Sequence, residues 1–571
     1  MSDARSGRPL ANFVLFICGL GGLLYGIDIG VIDPALRYLN RSVNLSEEAL
    51  SAVVAAVLAG SIFGSVVAGV LADWLGRKRM MIGSGLIFVA SVATIYLSQS
   101  FAALLIGRLL QGASGGLIAV VVPLYLAECL APHVRGRGAA IFQFMLTVGI
   151  VLASLVGNYY TGAAETAIAA AGGDAVKVVA AADHAWRGMF LSVAYPGMLF
   201  LIGALILPES PRWLVGQGRI EDARTSLHKI DGPYESETEL SAIRRALAED
   251  LARRSGSKLD ALKEILSTRR YMLPFVLSCV ILGCCQATGI NSILQYMTTI
   301  LQRAGLDPVT SALYGSSIKV INSVMTIVAI VMVERKGRVF LLTLGTSGIA
   351  VALLLLSLVF LRFESHQVDV RQEVVGMVSG DGMVLDLEKV GFSQLTSEAD
   401  SPLQLTILYQ QGGRQGLAEA FMTNGGSRVD DRHLIRVPAV LAENGIGTEK
   451  LEIVRANIGP IPSRSTGLLT ALCIGLFIAS FSMGPGVCVW LALSELMPTR
   501  IRSVGMGIAL LINQGVSTLI AFTFLPIAGR YGFHAIFMFW AVCTLVFLLT
   551  VRFLLPETKG KSLEEIEKSF A

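Results

Sequence analysis

The sequence predicts an all-α membrane protein with twelve transmembrane helices in two six-helix halves. A small β-rich extracytoplasmic insertion interrupts the second half. Three observations predict this. First, of 571 residues 53% are hydrophobic and only 15% charged, with a mean hydropathy of +0.65; a soluble chain of this size needs far more charge to cover its surface. Second, apolar runs of about 20 residues, enough to cross ~30 Å of hydrocarbon, recur along the chain. Third, the text at the ends of these runs repeats between the two halves.

Span 1 lies near 11–36, preceded only by Arg5 and Arg8. With no clear small-residue cleavage site it reads as a retained span rather than a signal peptide. Spans 2 to 6 lie near 50–72, 80–98, 101–127, 138–160 and 187–207, with an Ala/Gly-rich excess at 161–185 in the 5–6 connection. The 6–7 connection, 213–268, alternates charge with Leu and Ala at helical spacing, as in "ETELSAIRRALAEDLARR". That spacing predicts short interfacial helices. Spans 7 to 9 lie near 271–301, 309–333 and 339–361, and spans 10 to 12 near 466–493, 503–527 and 532–555.

The repeat is explicit. "GVLADWLGRKRMMIG" after span 2 answers "IVMVERKGRVFLLTLG" after span 8, and "YLAECLAPHVRGRGAA" after span 4 answers "LALSELMPTRIRSVGMG" after span 10. After span 6 stands "PESPRWL", and after span 12 "PETKGKSL". Two six-span halves ending in similar text form a transporter layout. The repeat also measures what was added. Asp73 to Glu128 is 55 residues and the matching Glu334 to Glu495 is 161, so about 106 extra residues fall between spans 9 and 10. Alternating segments there, such as "VDVRQEVVGMV", "MVLDLEKVGF" and "LQLTILYQQ", predict strands. The resulting division is 1–212 for the first half, 213–268 for linker helices, 269–362 for helices 7 to 9, 363–464 for the inserted domain, 465–558 for helices 10 to 12, and 559–571 for the tail.

The net charge of +4 is small, but its placement carries information. Basic residues crowd the connections after spans 2, 4, 8 and 10 (Arg77, Lys78 and Arg79; Arg135 and Arg137; Arg335, Lys336 and Arg338; Arg500 and Arg502) and the tail (Lys559, Lys561 and Lys568). The positive-inside rule therefore places both termini in the cytoplasm. All eight cysteines fall in or beside spans with no metal or disulfide spacing, and read as small packing residues.

Taken in order, "GVLADWLGRKR", "GRLLQGASGG", "PLYLAECLAPHVRGRG", "PESPRWL", "ATGIN", "VERKGR" and "PETKGKSLEEIE" resemble the sugar porter branch of the major facilitator superfamily, over about 11–361 and 465–568. The resemblance implies the major facilitator fold, with a central cavity opened alternately to each side of the membrane. Asp73, Arg77, Glu128, Arg135 and Glu209, with Glu334, Arg338, Glu495 and Arg502, are read as a cytoplasmic gate of ion pairs between helix ends. Such pairs strengthen as they leave water.

Asp28 is the only charged residue between Arg8 and Asp33. A charge at membrane depth is costly and faces a partner or a wet cavity. Leaving water penalises an ionised carboxyl and a nearby cation favours it, so movement between two environments can load and release a proton. The obvious cation is Arg108 on span 4. In sugar porters that this chain resembles, an acid at this span-1 position, with its Arg partner, distinguishes proton symporters from passive carriers. Asp28 and Arg108 are thus read as the coupling pair.

Sugar hydroxyls call for amides, which both donate and accept, and for an aromatic face. The resemblance implies Gln143 on span 5, Gln286, Asn291 and Tyr296 on span 7, Asn322 on span 8 and Trp490 on span 10 as substrate ligands; Asn513 on span 11 is a further polar candidate. The chain departs from the family pattern at Cys285, where a Gln is expected, at Ala287-Thr288 and Gln295, and at Gln514 after Asn513. Lys319, one turn before Asn322, stands where the family has a small residue. It either snorkels or pairs internally, or it puts a positive charge in the cavity, in which case a sugar acid becomes a substrate.

The function expected is proton-coupled uptake of a monosaccharide or related polyhydroxy compound through the cell membrane. The alternatives are a facilitative or differently coupled carrier of a sugar acid or polyol, and a nutrient sensor using the 363–464 insertion. No nucleophile motif, metal cluster or nucleotide loop points to an enzyme or to ATP drive. The expected partners are a sugar or polyol, protons and lipid, with no nucleic acid, no metal and no cofactor beyond the proton gradient; a monomer is expected.

Overall fold

The computed structural model describes residues 8–43, 45–130, 132–172, 174–231, 233–253, 268–376, 378–379, 382–386, 403–411, 414–422, 434–437, 452–460, 462–497, 502–559 and 570. Among these, twelve helices are long and apolar enough to cross a membrane: Leu10–Val43, Glu47–Gly69, Arg77–Tyr96, Phe101–Cys129, Ile141–Ala170, Val176–Ile206, Tyr271–Gln295, Pro308–Val333, Arg338–Glu364, Arg464–Trp490, Gly505–Tyr531 and Phe533–Leu554. They are spans 1 to 12, each overlapping the apolar run that predicted it.

Two lengths differ from the sequence reading. The first helix runs Arg8–Val43, past the expected end at residue 36, which brings Arg37 inside it as well. The Ala/Gly-rich stretch at 161–185 is mostly helix: one helix continues to Ala170, and the next starts at Ala175, capped by Asp174, whose side chain accepts from Val176 N and Lys177 N. Alanine has the highest intrinsic helix propensity, so this stretch lengthens the span 5–6 hairpin instead of looping out.

Within the first half, span 1 lies along span 5 and span 2 along span 4. Small residues make the first pairing intimate. A Cβ on Gly22 would meet the Phe142 carbonyl oxygen at 2.3 Å, so the two backbones touch where a side chain would hold them apart. In the second half, span 9 packs on spans 12 and 10, and span 7 on span 11. The halves meet along spans 2 and 11, spans 5 and 8, and where span 1 crosses the broken end of span 7.

Among the described residues, three short helices follow span 6, Pro211–Gly216, Ile220–Asp231 and Pro233–Arg253. They share a small apolar core of Leu214, Ala223, Leu227, Leu240 and Ile243. In the insertion, span 9's helix ends at Glu364 and span 10's begins at Arg464. Between them lie β1 (Val368–Asp369), β2 (Val378–Ser379), β3 (Gly382–Asp386), β4 (Leu403–Gln411), β5 (Arg414–Met422), β6 (Leu434–Val437) and β7 (Glu452–Pro460). One antiparallel sheet has the order β1-β7-β4-β5, and a smaller one β2-β3-β6. "LQLTILYQQ" is β4; its Leu405, Ile407 and Tyr409 alternate inward beside Ile453, Ala456 and Ile458. "VDVRQEVVGMV" is not one strand, because residues 371–375 form a helical turn that buries Val374.

Candidate substrate and proton site

Asp28 lies in the middle of span 1, only 1% exposed, as is Arg108 on span 4. Arg108 Nη1 stands 3.7 Å from Asp28 Oδ1. Neither Asp28 oxygen accepts a hydrogen bond in the described structure. The guanidinium donates instead to Gln111 Oε1 at 2.7 Å, reaches the Val53 carbonyl at 3.5 Å and lies 5.5 Å from the Phe190 ring centre. Gly115 on span 4 leaves room for the acid, since a Cβ there would come 3.2 Å from Asp28 Oδ2. The pair is thus charge against charge, with its acceptor capacity unspent.

The span-7 residues form a linked polar cluster with span 11. Asn291 Nδ2 donates to Gln286 Oε1 at 3.0 Å and to Ser517 Oγ at 2.7 Å, and Gln286 Nε2 donates to Asn513 Oδ1 at 3.2 Å. Gln286 and Asn291 can meet because the helix breaks between them. Gly289 takes φ +82, a left-handed conformation that ends one helix at Ala287 and starts the next at Ile290. Asn322 is 9% exposed, with Ser482 Oγ 2.5 Å from its Oδ1. Gln143 is half-buried, and Trp490 is 44% exposed. Tyr296 is fully buried and packs on Phe524 at 4.6 Å, its hydroxyl donating to the Ala521 carbonyl at 3.4 Å. It lies under the cluster as a wall and presents no open face.

Lys319 is engaged inside the protein. Its Nζ lies 2.6 Å from Asp33 Oδ2, and both side chains are 1% exposed. Asp33 Oδ1 accepts from Thr298 N and from Thr298 Oγ1, each at 2.8 Å. This joins the halves, since Asp33 is on span 1 while Thr298 and Lys319 are on the span 7 segment and span 8. Nearby, Arg37 donates to Gln302 at 2.9 Å, and the Asn158 amide of span 5 lies 3.0 Å from the Ala312 carbonyl of span 8. At mid-depth Gln514 donates to Ser61 at 3.2 Å.

At the opposite end, which carries the termini, the described ion pairs stay within one half each. Arg77 Nη2 lies 2.8 Å from Glu128 and 3.1 Å from Asp73. Arg338 Nη2 lies 2.9 Å from Glu495. Glu209 accepts from the backbone N–H of Arg77 and Lys78, and Glu557 from those of Arg338 and Val339. Ser210 and Thr558 donate to Glu128 and Glu495 in the same manner. The side chains of Arg135, Glu334 and Arg502 lie outside the described residues. Sequence reasoning had no place for Glu557, although "PETKGKSL" set beside "PESPRWL" marks it as the mate of Glu209. It gave Asp33 no partner and did not reach Thr298, Ser482 or Ser517, which are ordinary hydroxyl residues of apolar helices with no spacing to mark them.

Comparison with known proteins gives a consistent picture. The sequence model described as "Sugar (and other) transporter" matches residues 14–384 and 453–570. The chain is 28% identical over 557 residues, 97% of its length and 94% of the relative's, to a probable metabolite transport protein, CsbC, of Bacillus subtilis. It is 26% identical over 569 residues, 99% of its length and 96% of the relative's, to the galactose-proton symporter of Escherichia coli K12. Its fold is similar to the inward-open conformation of the xylose transporter XylE from E. coli, with a TM-score of 0.66 at 22% identity, covering 98% of this chain and 99% of that one.

Proposed function

The chain belongs to the sugar (and other) transporter family, as a multi-pass membrane carrier and not an enzyme, and from that premise we propose that it imports a monosaccharide or related polyhydroxy compound with protons by alternating access. The observation that carries the coupling is the Asp28–Arg108 pair, closed off from water and held by charge alone. A proton on Asp28 cancels the attraction to Arg108 and leaves the guanidinium on its other acceptors, so spans 1 and 4 hold each other differently in the two protonation states. The similarity to a galactose-proton symporter supports the same reading.

In this reading the amides of Gln286, Asn291, Asn322 and Asn513 hold the substrate, with Gln143 on span 5 and Trp490 on span 10 as further ligands. The basic connections support a carrier with both termini in the cytoplasm, in the plasma or inner membrane of a cell. The described contacts between the halves, at mid-depth and toward the insertion end, then belong to a carrier closed to the outside. In this reading Glu128 and Glu495, each paired within its own half, become available to bridge the halves when the cytoplasmic side closes.

The test is uptake of a panel of labelled sugars, polyols and sugar acids by proteoliposomes, with and without an inward proton gradient, on wild type and Asp28→Asn. Gradient-driven accumulation by wild type, with only equilibration by the variant, is expected. Uphill accumulation by Asp28→Asn with its gradient dependence intact refutes the coupling role.

A further inference from the structure

The carboxylate of Asp33 sits in a cradle that belongs entirely to the second half. Lys319 Nζ takes one oxygen at 2.6 Å, and Thr298 N and Oγ1 take the other at 2.8 Å each. Lys319 is 1% exposed and Thr298 6%. The acid comes from the first half, which moves relative to the second when a carrier alternates its access. Opening this end therefore withdraws Asp33 from the cradle. An ammonium and two further donors then face the opened vestibule with no anion between them, and a cation left so at membrane depth is costly.

The cradle is close along the chain to two of the amides. Lys319 is three residues from Asn322 on one helix, a rise of about 4.5 Å, and Thr298 follows Asn291 by seven residues across the kink at Tyr296. A sugar held at Asn322 can therefore extend an exocyclic carboxylate toward Lys319, one helical turn away.

Resting on the carrier reading above, we propose that the substrate is a sugar acid, a polyhydroxy monocarboxylate, whose carboxylate occupies the Thr298–Lys319 cradle when the insertion end is open and is displaced by Asp33 when that end closes. Asp33 is then an internal competitor that pushes the anion off its site at the step in which it must leave inward. Charge balance follows as a second consequence. One proton entering with one monoanion moves no net charge, whereas one proton with a neutral sugar moves one.

The experiment uses the full chain in proteoliposomes, with labelled D-glucuronate and D-glucose as probes, under a pH gradient with and without an inside-negative potential. Wild type is expected to take up glucuronate at least about tenfold faster than glucose, with the pH gradient alone driving it and the potential leaving it unchanged. Asp33→Lys combined with Lys319→Asp keeps an ion pair but puts a carboxylate in the cradle. It is expected to lower the glucuronate-to-glucose ratio by about tenfold or more. Asp33→Asn with Lys319→Met, which buries no charge, is the second variant should the swap fail to fold, and is expected to lower the ratio likewise.

Glucose uptake equal to or faster than glucuronate in wild type, glucuronate uptake that generates current, or an unchanged ratio in the folded variant overturns the proposal. Gradient-driven uptake of glucose with glucuronate excluded sinks this proposal and leaves the carrier reading standing. Absence of gradient-driven uptake of any sugar, polyol or sugar acid overturns both.

Discussion

Asp28 and Arg108 stand 3.7 Å apart with no hydrogen bond between them, in a place where both are closed to solvent. A unit charge pair near this separation attracts by about 4 kcal/mol at an effective dielectric of ~20. Protonation removes that attraction in one step. Asp28→Asn is the permanent analogue of the protonated acid. It is expected to abolish accumulation against a gradient while preserving exchange of labelled for unlabelled substrate across the bilayer, measured by counterflow.

Arg108 has a second role as the counter-charge of a buried acid. Arg108→Leu leaves Asp28 without its cation and should cost about 3–5 kcal/mol, read as a lower melting temperature in detergent. Adding Asp28→Asn removes the stranded charge and is expected to restore most of the loss. A double variant no more stable than Arg108→Leu alone would contradict that account.

The break in span 7 depends on one residue. Gly289 has φ +82, and a Cβ there would lie 2.3 Å from the Trp540 indole. Gly289→Ala is expected to lose at least the ~1–2 kcal/mol of a left-handed alanine, and more through the clash. Uptake should fall with it, since Gln286 and Asn291 meet across this break. Gly315→Ala, where the new methyl would lie 3.7 Å from Met297 Sδ and from Thr298 Cγ2 in a helix interior, is the control and should melt no lower than wild type.

Glu209 and Glu557 hold equivalent corners of the two halves. Spans 3 and 9 each begin after a glycine with φ near +90, at Gly76 and Gly337, and each carboxylate accepts from the first two amides of the helix that follows. Charge-assisted bonds of this kind contribute about 1.5–3 kcal/mol. Glu557→Ala and Glu209→Ala should therefore each lower the melting temperature by similar amounts. A large effect from one and none from the other would show that the repeat does not carry equal loads.

The insertion leaves and re-enters the bundle cleanly, but its first neighbour must be spared. Glu364 accepts from the Phe533 and His534 amides and so caps span 12. Replacing residues 368–460 by a short Gly/Ser linker, with Glu364 kept, is expected to leave gradient-driven uptake in place, because loop-length changes cost little chain entropy. Among the described contacts, it removes the Arg455 bond to the Gly529 carbonyl and the Asn457 contact with Gln367. Loss of uptake from a well-folded deletion would assign the insertion a part in transport.

Spans, halves, the site of the insertion and the Asp28–Arg108 candidates were legible in the sequence for a physical reason. Lipid demands long uninterrupted apolar runs, so each polar exception stands out, and a duplicated half repeats its end motifs in register. Glu209 was visible in the same way, and Glu557 would have been had the repeat been followed to its end. Composition could not say which polar residues meet. Lys319 read as either a cavity charge or an internal partner, and only the crossing of span 1 over spans 7 and 8 put Asp33 and Thr298 within 2.8 Å of one another and Lys319 against the same carboxylate. Periodicity along one helix says which face a residue occupies. What stands opposite that face depends on how two helices, far apart in the chain, cross in space, and there the tertiary structure alone decided.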